Sequence, residues 1–174
     1  MQRTKHQEQN LTHTSSWVKP PTGTTKCNVD ATMFDNNTIM RYGMCFRNSL
    51  GQLLLGNSGF LLSFATVLEA KSIALLESIK TSISNGMHTV LFETDCKSLI
   101  DALTSPAVHI SEFGNLVSQC RRRLSSNPNY VVSFVKRQAN RVAHTITRAS
   151  LSHSNPYTFN DVPSIYSLFM NEMH

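Results

Sequence analysis

The stretch Lys26-Cys27-Asn28-Val29-Asp30-Ala31 predicts a short β-strand that carries one carboxylate among small and apolar side chains. Its alternation has a period of two, which places Asp30 on the polar face of the strand. Aspartate is disfavoured in strands, so its presence needs a reason. Asp30 is either a solvent-facing carboxylate on a half-buried strand or one ligand of a metal ion that needs further acidic partners.

Length and composition favour one folded domain. The chain has 174 residues, of which 40% are hydrophobic and 8% aromatic, and this is enough for one sizeable core. Its polar N-terminus lacks the apolar stretch of a secretory signal, which favours an intracellular protein of the nucleus or cytoplasm. The formal net charge of +5 suits a polyanionic partner. Apolar runs stay well short of about 18 residues, so we expect no membrane partner.

Hydrophobic periodicity predicts an α/β domain with the element order β-β-β-α-β-α-α-β-α. We expect a disordered tail over residues 1–16, the domain over 17–154 and a C-terminal extension over 155–174. The predicted strands are 26–31, 42–47, 52–61, 89–93 and 130–135, and the predicted helices are 66–85, 96–103, 113–124 and 140–151. The four cysteines occur singly along these elements, which favours small core residues over a zinc site or a disulfide framework.

Glu69 and Asp95 are the acidic residues that we expect to join Asp30. Glu69 lies in the first turn of the long helix, and Asp95 lies where the fourth strand ends. If the fourth strand pairs beside the first, the three carboxylates converge, and such a cluster suits Mg²⁺ or Mn²⁺. Each residue also has a structural alternative. Thr66-x-x-Glu69 matches a capping box, and Asp95 is well placed as a helix N-cap.

An ordered set of segments resembles a known family. The segments are Trp17 with 26–31, 43–47 with 51–52, 68–75, 93–96 and 140–144. Together they resemble the type 1 ribonuclease H (RNase H) superfamily, and in particular its plant retrotransposon-derived, reverse-transcriptase-like branch. The resemblance covers roughly residues 17 to 151 and implies an RNase H-like fold, with a five-stranded mixed sheet flanked by helices.

The resemblance also implies an acidic site that binds two divalent cations, Mg²⁺ or Mn²⁺. Carried over position by position, Asp30, Glu69 and Asp95 match three of the four acidic metal ligands of the family. The fourth position falls on His144, where the superfamily usually has Asp. We include His144 among the catalytic candidates, because imidazole can bind a metal or position a water molecule. Its structural alternative is a solvated or capping residue on the last helix.

The activity that the resemblance implies is two-metal hydrolysis of the RNA strand of RNA·DNA hybrids. Small polar side chains near the site are candidates for minor-groove contacts, and basic side chains are candidates for phosphate contacts. These candidate nucleic-acid contacts are Asn28, Thr32, Lys71, Arg137, Asn140 and Arg141.

The histidine at position 144 leaves a second interpretation open. The chain is then a catalytically weakened or retired RNase H-like module that binds nucleic acid or a protein partner. A third interpretation keeps the fold and assigns an exonuclease or transposase-like activity. Cleavage of a hybrid with Mg²⁺ or Mn²⁺ separates the first interpretation from the second, and substrate preference separates the third. We expect a monomer.

Overall fold

The computed structural model describes residues 15–36, 38–63, 65–107, 110–149 and 156–160. The strands are β1 (Thr25–Phe34), β2 (Ile39–Arg47), β3 (Leu53–Leu62), β4 (Val90–Thr94), β5 (Tyr130–Phe134) and β6 (Tyr157–Phe159). The helices are α1 (Val67–Ser84), α2 (Lys97–Thr104), α3 (Glu112–Ser125) and α4 (Arg141–Ala149), with a short 3-10 helix, Arg137–Asn140, before α4. This confirms the predicted order of elements up to α4. Most of the predicted tail and of the predicted extension lies outside the described residues.

The sheet of the described residues has six strands in the order β5-β4-β1-β2-β3-β6. It is mixed, because β1 pairs antiparallel with β2 and parallel with β4. The expectation of five strands is therefore wrong by one. The sixth strand, β6, pairs antiparallel with β3, and the ring of Phe159 packs over Gly56, which has no side chain to block it. Three residues are too few to show a hydrophobic period in the sequence.

Helices cover both faces of the sheet and bury most of its apolar side chains. On β1, Cys27, Val29 and Ala31 join the main core with α1, while α4 packs on the opposite face, against β1 and β2. Asp30 lies on the α4 face, because successive residues of a strand point to opposite sides. None of the helices in the described part of the chain is long and apolar enough to cross a bilayer.

A close approach of α4 to β2 positions the functional face. Gly43 pairs with Asp30 across the β1–β2 ladder. A Cβ atom built on Gly43 would lie 2.7 Å from the backbone nitrogen of Thr147, far inside the normal contact distance. The missing side chain therefore lets α4 lie against the sheet. The hydroxyl of Thr147 also donates a 3.3 Å hydrogen bond to the carbonyl of Asp30.

Candidate active site

Asp30 and Asp95 are brought side by side by the parallel pairing of β1 and β4. The register sets Asn28 opposite Glu93, so the residues two positions further along each chain lie at the same edge of the sheet. Both carboxylates contact the Lys71 ammonium, which donates to Oδ1 of Asp30 at 3.0 Å and to Oδ1 of Asp95. The structure thus brings together two of the three predicted carboxylates, with a lysine between them.

Glu69 lies apart from this pair because its side chain closes a capping box. Its Oε2 accepts a 2.7 Å hydrogen bond from the backbone N–H of Thr66, and its own N–H donates to the Thr66 hydroxyl at 3.2 Å. Its carboxylate also borders a separate depression, beside Ile73 and Glu112. Across the described residues, no three His, Cys, Asp or Glu side chains are grouped so that they could hold a metal ion.

Helix geometry explains why Lys71, rather than Glu69, reaches the carboxylates. Residues two apart on an α-helix differ by about 200° around its axis, so they face nearly opposite directions. The Lys71 side chain is 14% exposed and Asp30 is 3% exposed. Burial alone would lower the pKa of Lys71, but the two carboxylates outweigh it and raise that pKa. Lys71 is therefore positively charged at neutral pH. We expected Lys71 to contact phosphates, and its amine is instead engaged within the protein.

His144 is held between Asp30 and Arg137. Its Nδ1 lies 2.8 Å from Oδ2 of Asp30, and the Arg137 guanidinium lies 3.0 Å from its Nε2. The same guanidinium nitrogen lies 3.3 Å from Nδ1, so Arg137 lies against the imidazole ring, close to both of its nitrogens. His144 is thus a positioned partner of Asp30 rather than a freely solvated residue.

Asp95 does not cap α2. The N-cap position belongs to Cys96, which makes no side-chain capping hydrogen bond. The carboxylate of Asp95 is engaged by Lys71 instead. Asp95 at the strand end therefore belongs to the site. Glu69, by contrast, caps its helix, as the structural alternative predicts.

A second polar cluster, which we call the sealed network, lies under the site on the same face of β1. At its centre, the Asn28 side chain accepts hydrogen bonds from Arg47 at 2.8 Å and from the Trp17 indole at 3.0 Å. It donates to Glu93 at 2.9 Å and to Asn140 at 3.2 Å. The network consists of Trp17, Lys26, Asn28, Arg47, Glu93 and Asn140, all buried.

Two candidate nucleic-acid contacts, Asn28 and Asn140, make hydrogen bonds inside the protein as part of the sealed network. Asn28 is fully buried, and the Asn140 amide donates to the carbonyl of Val29 at 3.0 Å. These amides tie β1 to β4 and to the start of α4. The sequence analysis did not single out Lys26 or Glu93, whose side chains lie 2.6 Å apart. The sequence did offer a signal for this pair. A positive charge, Lys26, lies in the first strand and a negative charge, Glu93, lies in the fourth, and both strands are mostly apolar.

The other candidate contacts remain at the surface. Arg137 and Arg141 are exposed, and Thr32 is half-buried on β1. The two arginines line an open depression of about 240 Å³ together with Gln138 and His144. His144 connects the depression to Asp30, and the two arginines make it cationic.

The residues around Asp30 do not fit the divalent cations that the resemblance implies. Oδ1 of Asp30 and Oδ1 of Asp95 both face the Lys71 ammonium, and Oδ2 of Asp30 faces His144. Glu69 is engaged in its capping box. Mg²⁺ requires close to six oxygen ligands in octahedral geometry, with carboxylates free to contact it.

The fold of this chain matches those of solved RNase H structures. Its fold is that of the type 1 RNase H superfamily. RNase H1 of the halophilic archaeon Halobacterium salinarum superposes with a TM-score of 0.68 at 15% identity, over 75% of this chain and 99% of that one. The N-terminal RNase H domain of a Mycobacterium tuberculosis protein gives 0.65 at 15% identity, over 74% and 93%. LC11-RNase H1, solved in complex with an RNA/DNA hybrid, gives 0.64 at 15% identity, over 74% and 99%.

The family is given by the sequence itself. Residues 28–150 match the model of the reverse transcriptase-like family, and the chain belongs to that family. No curated protein matches the chain. The plant retrotransposon origin stays a prediction.

Proposed function

We propose that this chain is a nucleic-acid-binding domain that recognises RNA·DNA hybrid duplexes. The observation that carries the proposal is the depression lined by Arg137, Arg141 and His144, whose His144 side chain also contacts Asp30. The fold is shared with LC11-RNase H1, a protein solved with an RNA/DNA hybrid bound. Family and fold together make a hybrid duplex the first substrate to test.

The charges of the depression support phosphate binding. Arg137 and Arg141 lie four residues apart, at the start of the 3-10 helix and at the start of α4. Exposed arginines at this spacing present two guanidinium groups to one strand, and each phosphate contact releases counterions and strengthens binding at low salt. Thr32 and Gln138 are available as neutral hydrogen-bonding groups. The binding that we propose is therefore strongly salt-dependent.

Metal-dependent hydrolysis of the RNA strand is the second candidate function. It is favoured by the adjacent carboxylates of Asp30 and Asp95, with His144 hydrogen-bonded to Asp30. It is disfavoured by the ammonium of Lys71, which contacts both carboxylates. We therefore rank binding without hydrolysis, the retired-module interpretation, above the hydrolase.

The binding proposal is tested with a fluorescently labelled RNA·DNA hybrid in EDTA, with DNA and RNA duplexes of the same sequence for comparison. The variant is Arg137→Ala/Arg141→Ala. Its matched control is Lys80→Ala/Arg122→Ala, which removes the same charge away from the depression. We expect the first variant to lose at least about tenfold in affinity and to reduce the salt slope by about two, while the control changes little. Equal losses in both variants would contradict a specific interface.

Hydrolysis is tested on the same hybrid with Mg²⁺ and then with Mn²⁺. Cleavage of the RNA strand that disappears in Asp30→Asn would establish the hydrolase. Retained binding without cleavage, in protein shown to be folded, would establish the binding module.

A further inference from the structure

The Lys71 ammonium occupies the space between the two carboxylates of the site. It contacts Oδ1 of Asp30 at 3.0 Å and Oδ1 of Asp95. We propose that Lys71 is a built-in counter-ion that takes the place of a divalent cation, so that the domain binds nucleic acid without a metal and leaves it uncut. This inference rests on the proposed function for its binding half, while its metal half is tested independently.

Charge balance is the first argument for this role. Two carboxylates facing a phosphodiester backbone repel it, and an RNase H-like site that relies on metal ions must bind them to offset that charge. Here Lys71 supplies a positive charge at the carboxylates, and Arg137 and Arg141 supply two more around His144. With three cationic groups against two carboxylates, the surface attracts phosphate with no metal present.

The second argument is that Lys71 has little room to leave. Its side chain is 14% exposed, and the neighbouring Ala70 and Ala74 are fully buried against the sheet. A metal ion between Asp30 and Asp95 would have to displace the ammonium and would then sit beside a retained positive charge. The two cations would repel each other strongly in such a poorly solvated site.

Glu69, which the resemblance makes the third carboxylate, is held away from the two aspartates. Glu69 is nearly half a turn away from Lys71 around α1, and its carboxylate is tied to Thr66 at the helix start. Turning α1 to present Glu69 would expose Ala70, Ala74 and Leu75, which are fully buried. Two carboxylates, of which Asp30 has both oxygens engaged by Lys71 and His144, are a poor set for a hard cation that needs about six oxygen ligands.

The test measures the binding of Mn²⁺ alone, from the electron paramagnetic resonance signal of the free ion. The variants are Lys71→Glu, which supplies a third carboxylate, and Lys71→Gln, which only removes the ammonium. Lys80→Glu on the same helix is the matched charge control. We expect no saturable binding to the native chain or to Lys80→Glu. We expect Lys71→Glu to bind Mn²⁺ saturably, at least about tenfold more tightly than the weak limit set by the native chain, and Lys71→Gln to bind with an affinity between the two.

Thermal unfolding gives a second readout, since an ion that binds the folded state raises its melting temperature. Mn²⁺ should raise the melting temperature of Lys71→Glu and of Lys71→Gln but not that of the native chain. Lys71→Gln keeps the test valid if three adjacent carboxylates prevent Lys71→Glu from folding. Saturable Mn²⁺ binding by the native chain would overturn the inference, and so would folded Lys71 variants that do not respond to Mn²⁺.

Hybrid binding by the native chain separates this inference from the proposed function. Binding in EDTA that Mg²⁺ leaves unchanged supports both. Binding that appears only with Mg²⁺ overturns the inference and keeps the function. No hybrid binding under either condition overturns the function and the binding half of the inference, while the Mn²⁺ measurements still decide whether Lys71 excludes metal.

Discussion

Two polar clusters lie two residues apart on the same face of β1, and they differ in their access to water. The sealed network centres on Asn28 and is covered by Trp17, whose ring lies 3.8 Å from the Arg47 guanidinium. The site centres on Asp30, and its His144 side chain is 23% exposed. In each cluster a lysine forms an ion pair: Lys26 with Glu93 in the sealed network, and Lys71 with Asp30 and Asp95 in the site. The same kind of ion pair thus stabilises the closed part of the fold at Lys26 and lies next to the proposed binding surface at Lys71.

The two clusters are also mechanically linked. The Asn140 amide accepts a hydrogen bond from Asn28 and donates one to the carbonyl of Val29. Asn140 directly precedes α4, which carries Arg141 and His144. The sealed network therefore fixes the start of the helix that carries the proposed binding surface.

The largest expected effect comes from breaking the sealed network. In Lys26→Met the Glu93 carboxylate loses the ammonium that lies 2.6 Å away, in a site with almost no solvent. We expect the free energy of unfolding, measured with urea, to fall by about 3–5 kcal/mol. The control is Lys97→Met, which breaks the exposed pair with Asp101 and should cost less than about 1 kcal/mol. Similar losses in both variants would show that the network is not sealed.

The next effect comes from Gly43→Ala, which forces α4 away from the sheet. The new Cβ would collide with the backbone of Thr147, so we expect a loss of about 2–3 kcal/mol in the free energy of unfolding. Hybrid affinity should fall as well, because His144 and Arg141 move with the helix. Gly59→Ala is the control, since its Cβ would meet the Tyr42 ring instead. If folded Gly43→Ala binds the hybrid with normal affinity, the position of α4 does not control binding.

A smaller loss of stability is expected when the counter-ion of the open site is removed. Lys71→Gln leaves the carboxylates of Asp30 and Asp95 without their counter-ion, but the Lys71 side chain is 14% exposed, against 4% for Lys26, so more water can take its place. We expect the free energy of unfolding to fall by about 1–2 kcal/mol, less than for a fully buried pair. Urea unfolding of this variant beside Lys26→Met measures the contrast directly. Equal losses in the free energy of unfolding would mean that water is excluded equally from the two clusters.

The smallest perturbation uses two cysteines as reporters. Burial raises the pKa of the Cys120 thiol to about 12, and burial also raises that of the half-buried Cys96 beside the site. Iodoacetamide at pH 8, followed by peptide mass spectrometry, should label Cys96 well before Cys120, because thiolate formation at Cys120 requires opening of the core. Simultaneous labelling would show that site and core open together.

The same thiol gives a pH dependence with a definite sign. The unfolded chain loses the Cys120 proton above about pH 8.5, whereas the folded protein retains it up to about pH 12. The contribution of this group to stability is therefore complete below about pH 8.5 and is lost as the pH rises toward 12. Cys120→Ala should show a weaker loss of stability over that alkaline range in urea titrations.

Much of the fold was predictable because it depends on local patterns. The element order through α4 follows from hydrophobic periods and turn residues. The pairing of β1 with β4 was only the condition under which Asp30 and Asp95 would meet, and the structure has that pairing. The capping box at Thr66 was visible as a spacing of three residues. The strand β6 was not visible, because Tyr157–Phe159 is held by pairing with β3 rather than by a pattern of its own.

The candidate site was predictable only in part. Asp30 and Asp95 both contact Lys71, and His144 contacts Asp30. The strand and the strand end pointed to the two aspartates, whereas His144 was a candidate only through the family resemblance. Lys71 was misjudged because a lysine near a helix start has the features of a surface phosphate contact. Whether residue 69 or residue 71 faces the sheet depends on the rotation of α1 about its axis.

The sequence by itself determined which elements form and which charged residues accompany them, since periodicity, capping and turn chemistry act between near neighbours. Tertiary structure decided which charges meet. Packing of Ala70 and Ala74 sets the rotation of α1, and that rotation puts an ammonium rather than a third carboxylate between Asp30 and Asp95. Long-range contacts make this choice because a two-residue step around a helix reverses the direction of a side chain while leaving the local pattern unchanged.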